Sequence, residues 1–365
     1  MDFDDAPSDA SFRAELRTWL DANHPGTPPG GDEAFEWRRL WQRRLADGGW
    51  AAPGWPRAWG GRDASVSQLV VFEEELAAAG LPPIANAIGV WNVGPAIMEH
   101  GTAEQKQRWL APMLRADEIW CQGFSEPGAG SDLAALATRA TLDGDLYRVS
   151  GQKIWISYGT RADRCFLLCR TGSATDRRAG MLVLVVDLRA PGVIVRPLRD
   201  ATGGAGFSEI FFDDVAVPAD DRVGDDGWRV AMSTLTHERI GTITYGIQLR
   251  QKFERLLATR GLFPLDPFLE QQLAAVWVDV EVIRLTALRA LTRAARGLEP
   301  WPEVPIGKLL WSTASQRLAE IAVRALGVDS DWTQDLVWSR MTTIGAGTTE
   351  IQKNVLAERA LGFPR

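Results

Sequence analysis

The hydrophobic period of the chain changes twice, and these two changes constrain its fold more than any single motif. Ser11 to Asn23 sets Phe12, Leu16, Trp19 and Leu20 on one helical face, and Glu33 to Ala46 does the same with Trp37, Leu40, Trp41 and Leu45. Pro53 and Pro56 forbid continuation of that helix. Helical spacing resumes over Val66 to Ala79, over an apolar, small-residue stretch from Pro83 to Gly101, and over Thr102 to Arg115, which opens with Thr102 and Glu104. From Glu118 to Val217 short runs alternate between turns at Gly, Asp and Pro. The strands expected are Ile119–Phe124, Tyr147–Gly151, Ile154–Ser157, Arg164–Arg170, Met181–Asp187, Val193–Pro197 and Glu209–Val215. Long helical segments then return over Trp228–Arg260, Phe268–Ala295, Ile306–Gly327, Asp331–Ile344 and Thr349–Leu361. The predicted fold class is α+β multidomain: an N-terminal helical domain (1–117), a central β-barrel-like domain (118–220) and a C-terminal four-helix bundle (221–365).

Composition removes several function classes. A net charge of -7 and a pI near 5.2 argue against a nucleic-acid partner, which selects a basic face. No apolar run reaches about 18 residues, so no membrane span is expected. Met1 to Ala10 is acidic and polar, unlike a signal peptide, and a cytoplasmic protein is expected. Cys121, Cys165 and Cys169 lack zinc-site spacing and read as reduced core thiols. His24, His100 and His237 form no ligand pair, so no metal is expected. No Gly-x-Gly-x-x-Gly follows a strand and opens a helix, which argues against a nicotinamide-binding fold.

Trp120 to Asp132 reads WCQGFSEPGAGSD. A short strand runs into a turn built from Pro127, Gly128 and Gly130, with Ser125 and Ser131 on either side; glycines there would permit positive φ and close approach of a ligand. Taken alone, an ordinary strand-to-loop turn fits equally well. The longer string resembles the flavin loop of the acyl-CoA dehydrogenase family, and nearly the whole chain follows that family's order of helical, β and helical segments. The resemblance implies FAD as cofactor, with Gln122, Phe124, Ser125, Gly130 and Ser131 at its site and Ser131 also on the acyl-CoA. Lys153 to Ser157 (KIWIS) is a second resemblance: Trp155 would pack along the flavin ring and the Ser157 hydroxyl would donate to flavin N5. The third is IGAGTTEIQ, Ile344 to Gln352, where Thr348 and Glu350 match positions that contact the flavin and its phosphates, and the helix near Thr349 offers N–H groups to anions.

The chain departs from part of the family at Ala346. Short- and medium-chain members carry the catalytic Glu before the glycine equivalent to Gly347; alanine cannot take a proton. Its backbone N–H can still bind the thioester oxygen, as that position does in the family. The base is then expected at Glu238, in the Glu238–Arg239 pair where isovaleryl-type and long-chain-type members carry theirs; a surface carboxylate paired with arginine is the alternative. Arg239 reads as a charge that positions substrate or structure. The implied reaction is removal of the α proton by Glu238 with transfer of the β hydride to flavin N5, giving a trans-2-enoyl-CoA, and electron-transferring flavoprotein is the expected acceptor. A base at this point weakly favours branched, long or polycyclic acyl groups.

Two family motifs that reach a neighbouring subunit's FAD are missing. Ala258 to Phe263 lacks Arg-x-x-Phe-Gly, and Ala325 to Trp332 is a shortened form of a Gly-Gly-x-Gly stretch with Gly327 alone. An oligomer is expected, and a heteromer with a related chain is one form of it; some bacterial members acting on bulky or sterol-derived acyl-CoAs are built so. Two other readings stay open: another flavin-dependent oxidation of a carrier-bound acyl group, and a non-catalytic subunit that shapes a partner's site.

Overall fold

The computed structural model describes residues 5–31, 33–171, 178–240, 242–259, 261, 267–296, 298 and 302–364, with the side chains of 237–240, 242–244, 294 and 295 outside that description. The chain divides into two compact units: Asn23–Ala64 with Pro83–Glu238, and Met1–Ala22 with Ser65–Pro82 and Arg239–Arg365. The expected divisions at 117 and 220 are linear along the chain; these units are not.

The first unit is a sheet with helices α2 (Glu33–Asp47), α4 (Gly94–His100) and α5 (Ala103–Leu114). A capping box opens α5: Thr102 Oγ1 accepts from the Gln105 N–H, and Gln105 Oε1 accepts from the Thr102 N–H, so Gln105 rather than Glu104 completes it. The helical stretch expected over Pro83–Gly101 is helical from Ala87 on, where a π-helical turn, Gly89–Val93, runs directly into α4. Pro95 near the start of α4 has no N–H for the preceding turn, which removes one α-type bond.

Two buried amides fix where the sheet begins. Gln42 donates to the Leu114 carbonyl at 2.9 Å and accepts from the Asn86 N–H at 2.9 Å. The Asn86 side chain then donates to the Met113 and Glu118 carbonyls and accepts from the Trp120 N–H at 2.9 Å. Each side-chain amide in this relay both donates and accepts, so burial of the two carries little net cost. Its end point is the first residue of strand β1.

The strands are β1 (Trp120–Gly123), β2 (Arg139–Asp143), β3 (Leu146–Ser157), β4 (Arg164–Arg170), β5 (Met181–Asp187), β6 (Val193–Leu198), β7 (Phe207–Pro218) and β8 (Arg222–Val223). They run in the order β6-β7-β3-β2-β4-β5-β8, with β1 parallel to β4. β2, absent from the expected strands, joins the two halves through a single parallel pair, Arg139 with Arg170. Both halves cover one core that includes Val149, Ile156, Leu167, Leu184, Ile210 and Val215, which is the barrel-like arrangement expected. Each such side chain contributes roughly 1.5–3 kcal/mol on burial. All three cysteines are free and lie in this unit's interior; burial pushes the Cys169 thiol up to about 12.

The strands expected at Tyr147–Gly151 and Ile154–Ser157 are one strand. β3 pairs with β7 along its length, with register shifts between Val149 and Gly151 and between Lys153 and Ile156. The shift between Lys153 and Ile156 puts the extra residue in β3, where it interrupts the sequence pattern without ending the strand; the other shift puts it in β7.

The second unit is helical. Helices α7 (Thr242–Ala258), α8 (Pro267–Ala295) and α9 (Glu303–Leu326) pack around Leu249, Phe253, Val276, Val280, Trp311 and Leu318. Tyr245 stacks on Trp311 at 4.1 Å. α10 (Trp332–Ser339) and α11 (Thr349–Val355) follow, and α1 (Pro7–Asn23) and α3 (Val66–Ala78) belong here too. α1 and α3 are tied by the buried Glu75 carboxylate, which accepts from Arg13 and Arg17 at 2.7 Å each. α6 (Gly227–Ile240) has nearly all of its length in the first unit. The Ala258–Phe263 stretch lies partly outside the described residues, at 260, 262 and 263. Among the described residues, no helix is long and apolar enough to cross a membrane, and no group of three or more His, Cys, Asp or Glu is placed to hold a metal.

Candidate active site

In the sheet unit, β1 delivers the chain to Ser125 and then turns. Glu126 and Ala129 exchange both backbone hydrogen bonds, at 3.0 Å each, so the turn closes around Pro127 and Gly128. Neither Gly128 nor Gly130 adopts positive φ, contrary to the conformational role expected of them. A Cβ at either would meet nothing within 4 Å, so what these glycines leave is open space above the turn.

The left-handed residue lies across from the turn. Trp155 has φ +61°, at the register shift in β3. For a bulky residue this backbone is strained, by about 1–3 kcal/mol. The strain turns the indole outward: it is 60% exposed, edge-on to Phe207 with ring centroids 6.2 Å apart. A large aromatic held at a conformational cost and left uncovered is a platform for a flat ligand. Ser157 follows, half-buried, and the Ser208 hydroxyl donates to the Ile156 carbonyl at 3.1 Å, holding that end of the strand.

Turn and bulge are joined by a fully buried ion pair. Lys153 Nζ lies 2.8 Å from Glu126 Oε1 and donates to the Phe124 carbonyl at 3.0 Å. Glu126 also accepts from the Ala137 N–H at 2.6 Å and the Thr138 N–H at 2.9 Å. The Ile154 N–H donates to the Ser125 carbonyl at 2.9 Å. Burial alone would raise the Glu126 carboxyl, but the Lys153 ammonium and the two N–H donors outweigh it and hold the group below the ordinary range. Burial pulls Lys153 below the ordinary lysine range, and the Glu126 charge restores only part of that loss. The sequence reasoning assigned no role to Glu126 or Lys153. The signal was present: Lys153 shares the inward parity of Val149 in an alternating strand, and a buried lysine requires a buried acceptor.

Other expected residues fall around this knot. The hydroxyls of Ser125, Ser131 and Ser157 bond to no protein group among the described residues. Ser131 is exposed. Gln122 is half-buried, its Oε1 3.5 Å from Asn92 Nδ2. Phe124 is a core residue, stacked on Phe166 with centroids 6.5 Å apart, so its backbone and not its ring borders the turn. None of these residues lines the cavity of about 610 Å³ bounded by Thr171, Arg178, Arg222 and Trp228.

Further expected residues lie within the helical unit. Ala346 has φ +54° and Gly347 φ +86°; Ala346 is exposed and its N–H meets no acceptor among the described residues. Its carbonyl accepts from Gln352 Nε2 at 3.0 Å. Thr348 caps α11, its Oγ1 accepting from the Ile351 N–H at 3.2 Å, which leaves its own proton for another partner. Glu350 is exposed in the first turn of that helix. The backbones of Glu238 and Arg239 fall near the C-terminal end of α6, and their side chains lie outside the described residues. A non-glycine left-handed residue costs about 1–2 kcal/mol. Ala346→Gly is therefore expected to raise the unfolding free energy by up to about 1 kcal/mol after the unfolded chain's gain in freedom, read as a higher midpoint in thermal unfolding.

Comparison with known proteins places these groups in context. Three family models match in succession: "Acyl-CoA dehydrogenase, N-terminal domain" over residues 7–117, "Acyl-CoA dehydrogenase, middle domain" over 121–215 and "Acyl-CoA dehydrogenase, C-terminal domain" over 225–361. "Acyl-CoA dehydrogenase IpdE1" of Mycobacterium tuberculosis is 40% identical over 377 residues, 97% of each chain. Among solved structures, one described as "Tcur3481-Tcur3483 steroid ACAD" aligns over 100% of both chains with a TM-score of 0.87 and 28% identity. The "ChsE4-ChsE5 complex from Mycobacterium tuberculosis" aligns over 100% of both chains at 0.80 and 28% identity.

Proposed function

Because the chain belongs to the acyl-CoA dehydrogenase family, we propose that it is an FAD-dependent enzyme that converts an acyl-CoA to the trans-2-enoyl-CoA. One observation carries this reading: the Ser125 turn and the Trp155 bulge, built from separate stretches of chain, are stitched together by a buried ion pair and a backbone bond, yet leave an indole and three hydroxyls uncommitted. That combination fits a flavin: a rigid frame, an exposed flat aromatic, an open turn and unsatisfied donors. FAD bound there supplies the acceptor for the substrate's β hydride.

The chain's own groups supply the rest. The Trp155 face and the Ser125, Ser131 and Ser157 hydroxyls orient cofactor and thioester. The Ala346 N–H donates to the thioester carbonyl oxygen, where negative charge develops as the α C–H bond breaks. Glu238 takes the α proton; burial against an apolar acyl group would raise its pKa and make it a stronger base. Arg239 is a charge that positions substrate or structure, and Thr348 and Glu350 meet the cofactor. Ala346 itself has only a methyl group and takes no proton.

The partner proposal follows from the chain's missing motifs and the two-chain descriptions of its structural relatives. We place this chain in a heteromeric assembly whose related subunit supplies the contacts absent here, with a bulky, steroid-like acyl-CoA as substrate class and electron-transferring flavoprotein as acceptor. The test is anaerobic visible absorption, with the chain purified alone and with a related chain, titrated with acyl-CoAs of increasing bulk. Loss of the flavin band with a bulky acyl-CoA is expected. A flavin-loaded protein that no acyl-CoA bleaches overturns the dehydrogenase reading, and a flavin-saturated homotetramer from the single chain overturns the heteromer.

A further inference from the structure

Four polar residues recur at every fourth position along one face of α9: Lys308, Ser312, Gln316 and Glu320. A face four residues apart is a single stripe on a helix. All four reach the same short piece of chain, the end of α10 and the 3₁₀ turn Arg340–Thr343. Lys308 Nζ donates to the Thr342 carbonyl and, at 3.0 Å, to Ser312 Oγ. Ser312 Oγ lies 2.8 Å from the same carbonyl, and the Thr342 hydroxyl lies 2.6 Å from the Ser339 carbonyl it donates to. Gln316 Nε2 donates to the Ser339 carbonyl at 3.2 Å, and Glu320 accepts from Arg340 at 2.8 Å. Lys308 and Ser312 are each 2% exposed, and Thr342 1%.

This effort is large for a turn of four residues. Burying an ammonium is costly unless it is well partnered, and beside Ser312 and the Trp311 ring, 5.2 Å away, Lys308 has the Thr342 carbonyl as a partner. The turn leads directly into the left-handed pair Ala346 and Gly347. Beyond it Gln352, 6% exposed, grips the Ala346 carbonyl. A Cβ at Gly347 would lie 2.6 Å from that same amide nitrogen, so glycine lets Gln352 close in. The segment presenting the Ala346 N–H is thus fixed from both ends.

We propose that Lys308, with Ser312, and Gln352 are positioning residues that aim the Ala346 N–H at the thioester oxygen. The inference rests on the proposed role of that N–H. An N–H that only swings into place on binding spends binding energy on ordering itself; one clamped beforehand does not.

The test reads the donor directly and not through turnover. The flavin-loaded enzyme, with its partner chain where one is required, is titrated with the 3-oxoacyl-CoA that carries its best acyl group. Enolisation of the bound ligand is followed by absorbance against pH. The expected results are a depressed enolisation pKa in the wild type and, in Lys308→Met and in Gln352→Leu separately, a rise of about one to two units, a roughly 10- to 100-fold loss of enolate stabilisation. Flavin content should be unchanged in Gln352→Leu, which lies outside the packed stripe and guards against a folding defect in Lys308→Met. A wild-type depression that survives both substitutions, even with lower melting points, overturns the positioning role alone. No depression in the wild type overturns the Ala346 reading and this proposal together.

Discussion

Lys153→Met is expected to lower the unfolding free energy by about 3–5 kcal/mol and to release most of the flavin from a loaded preparation. Methionine is unbranched, ends one heavy atom short of the lysine ammonium and fills most of the same space. It strands the Glu126 carboxylate in a site where Lys153 is wholly enclosed, and removes the donor on the Phe124 carbonyl. The carboxylate keeps its bonds from Ala137 and Thr138, so the sheet should still form, with the turn no longer tied to the bulge. Thermal unfolding and the flavin-to-protein absorbance ratio after gel filtration check the two parts. An unchanged ratio would show that the knot holds the fold and not the cofactor. Acid should reproduce the effect in the wild type. The folded-state pKa of Glu126 is depressed, so its contribution is complete above the unfolded carboxylate value and is lost as pH falls through the folded value.

Glu238→Gln is expected to leave flavin content and acyl-CoA binding intact while slowing reduction of the flavin by at least about 10²- to 10⁴-fold, the usual range for a lost general base. Glutamine keeps the size and polarity of the side chain and removes its basicity. Rapid-mixing absorbance under anaerobic conditions separates binding from reduction. Full-rate reduction in the variant would move the base elsewhere, and Ala346 offers none.

Much of the fold is legible in local pattern. Unbroken apolar runs mark β4 and β5 with the ends found, because strands buried on both faces carry no alternation, as in Leu182 to Val186. The acyl-CoA dehydrogenase resemblance was carried by three short strings, and the structure places each string on a turn, a bulge or a helix cap. Where the pattern misled, the reason differed from element to element. β3 looked like two strands because Trp155 breaks alternation without breaking pairing. Pro83–Gly101 reads as helical and is so from Ala87 on; what its small apolar residues do not mark is the π-helical turn at Gly89–Val93. β2 was missed because its residues are mostly exposed and its pattern is weak; it is held in place by pairing with β3.

The site divides in the same way. The sequence by itself determined the order of helical and β segments, the flavin-loop, bulge and closing strings, and the lack of a base at Ala346, because residue type and spacing decide these locally. Only the tertiary structure decided that Glu126 meets Lys153 across 27 residues, that Lys308 reaches Thr342 across 34, and that Trp155 and Ala346 are left-handed while Gly128 and Gly130 are not. Those are long-range facts: a buried charge finds whichever carbonyl or carboxylate the fold brings to it, and a left-handed alanine or tryptophan persists only where surrounding contacts outweigh its cost.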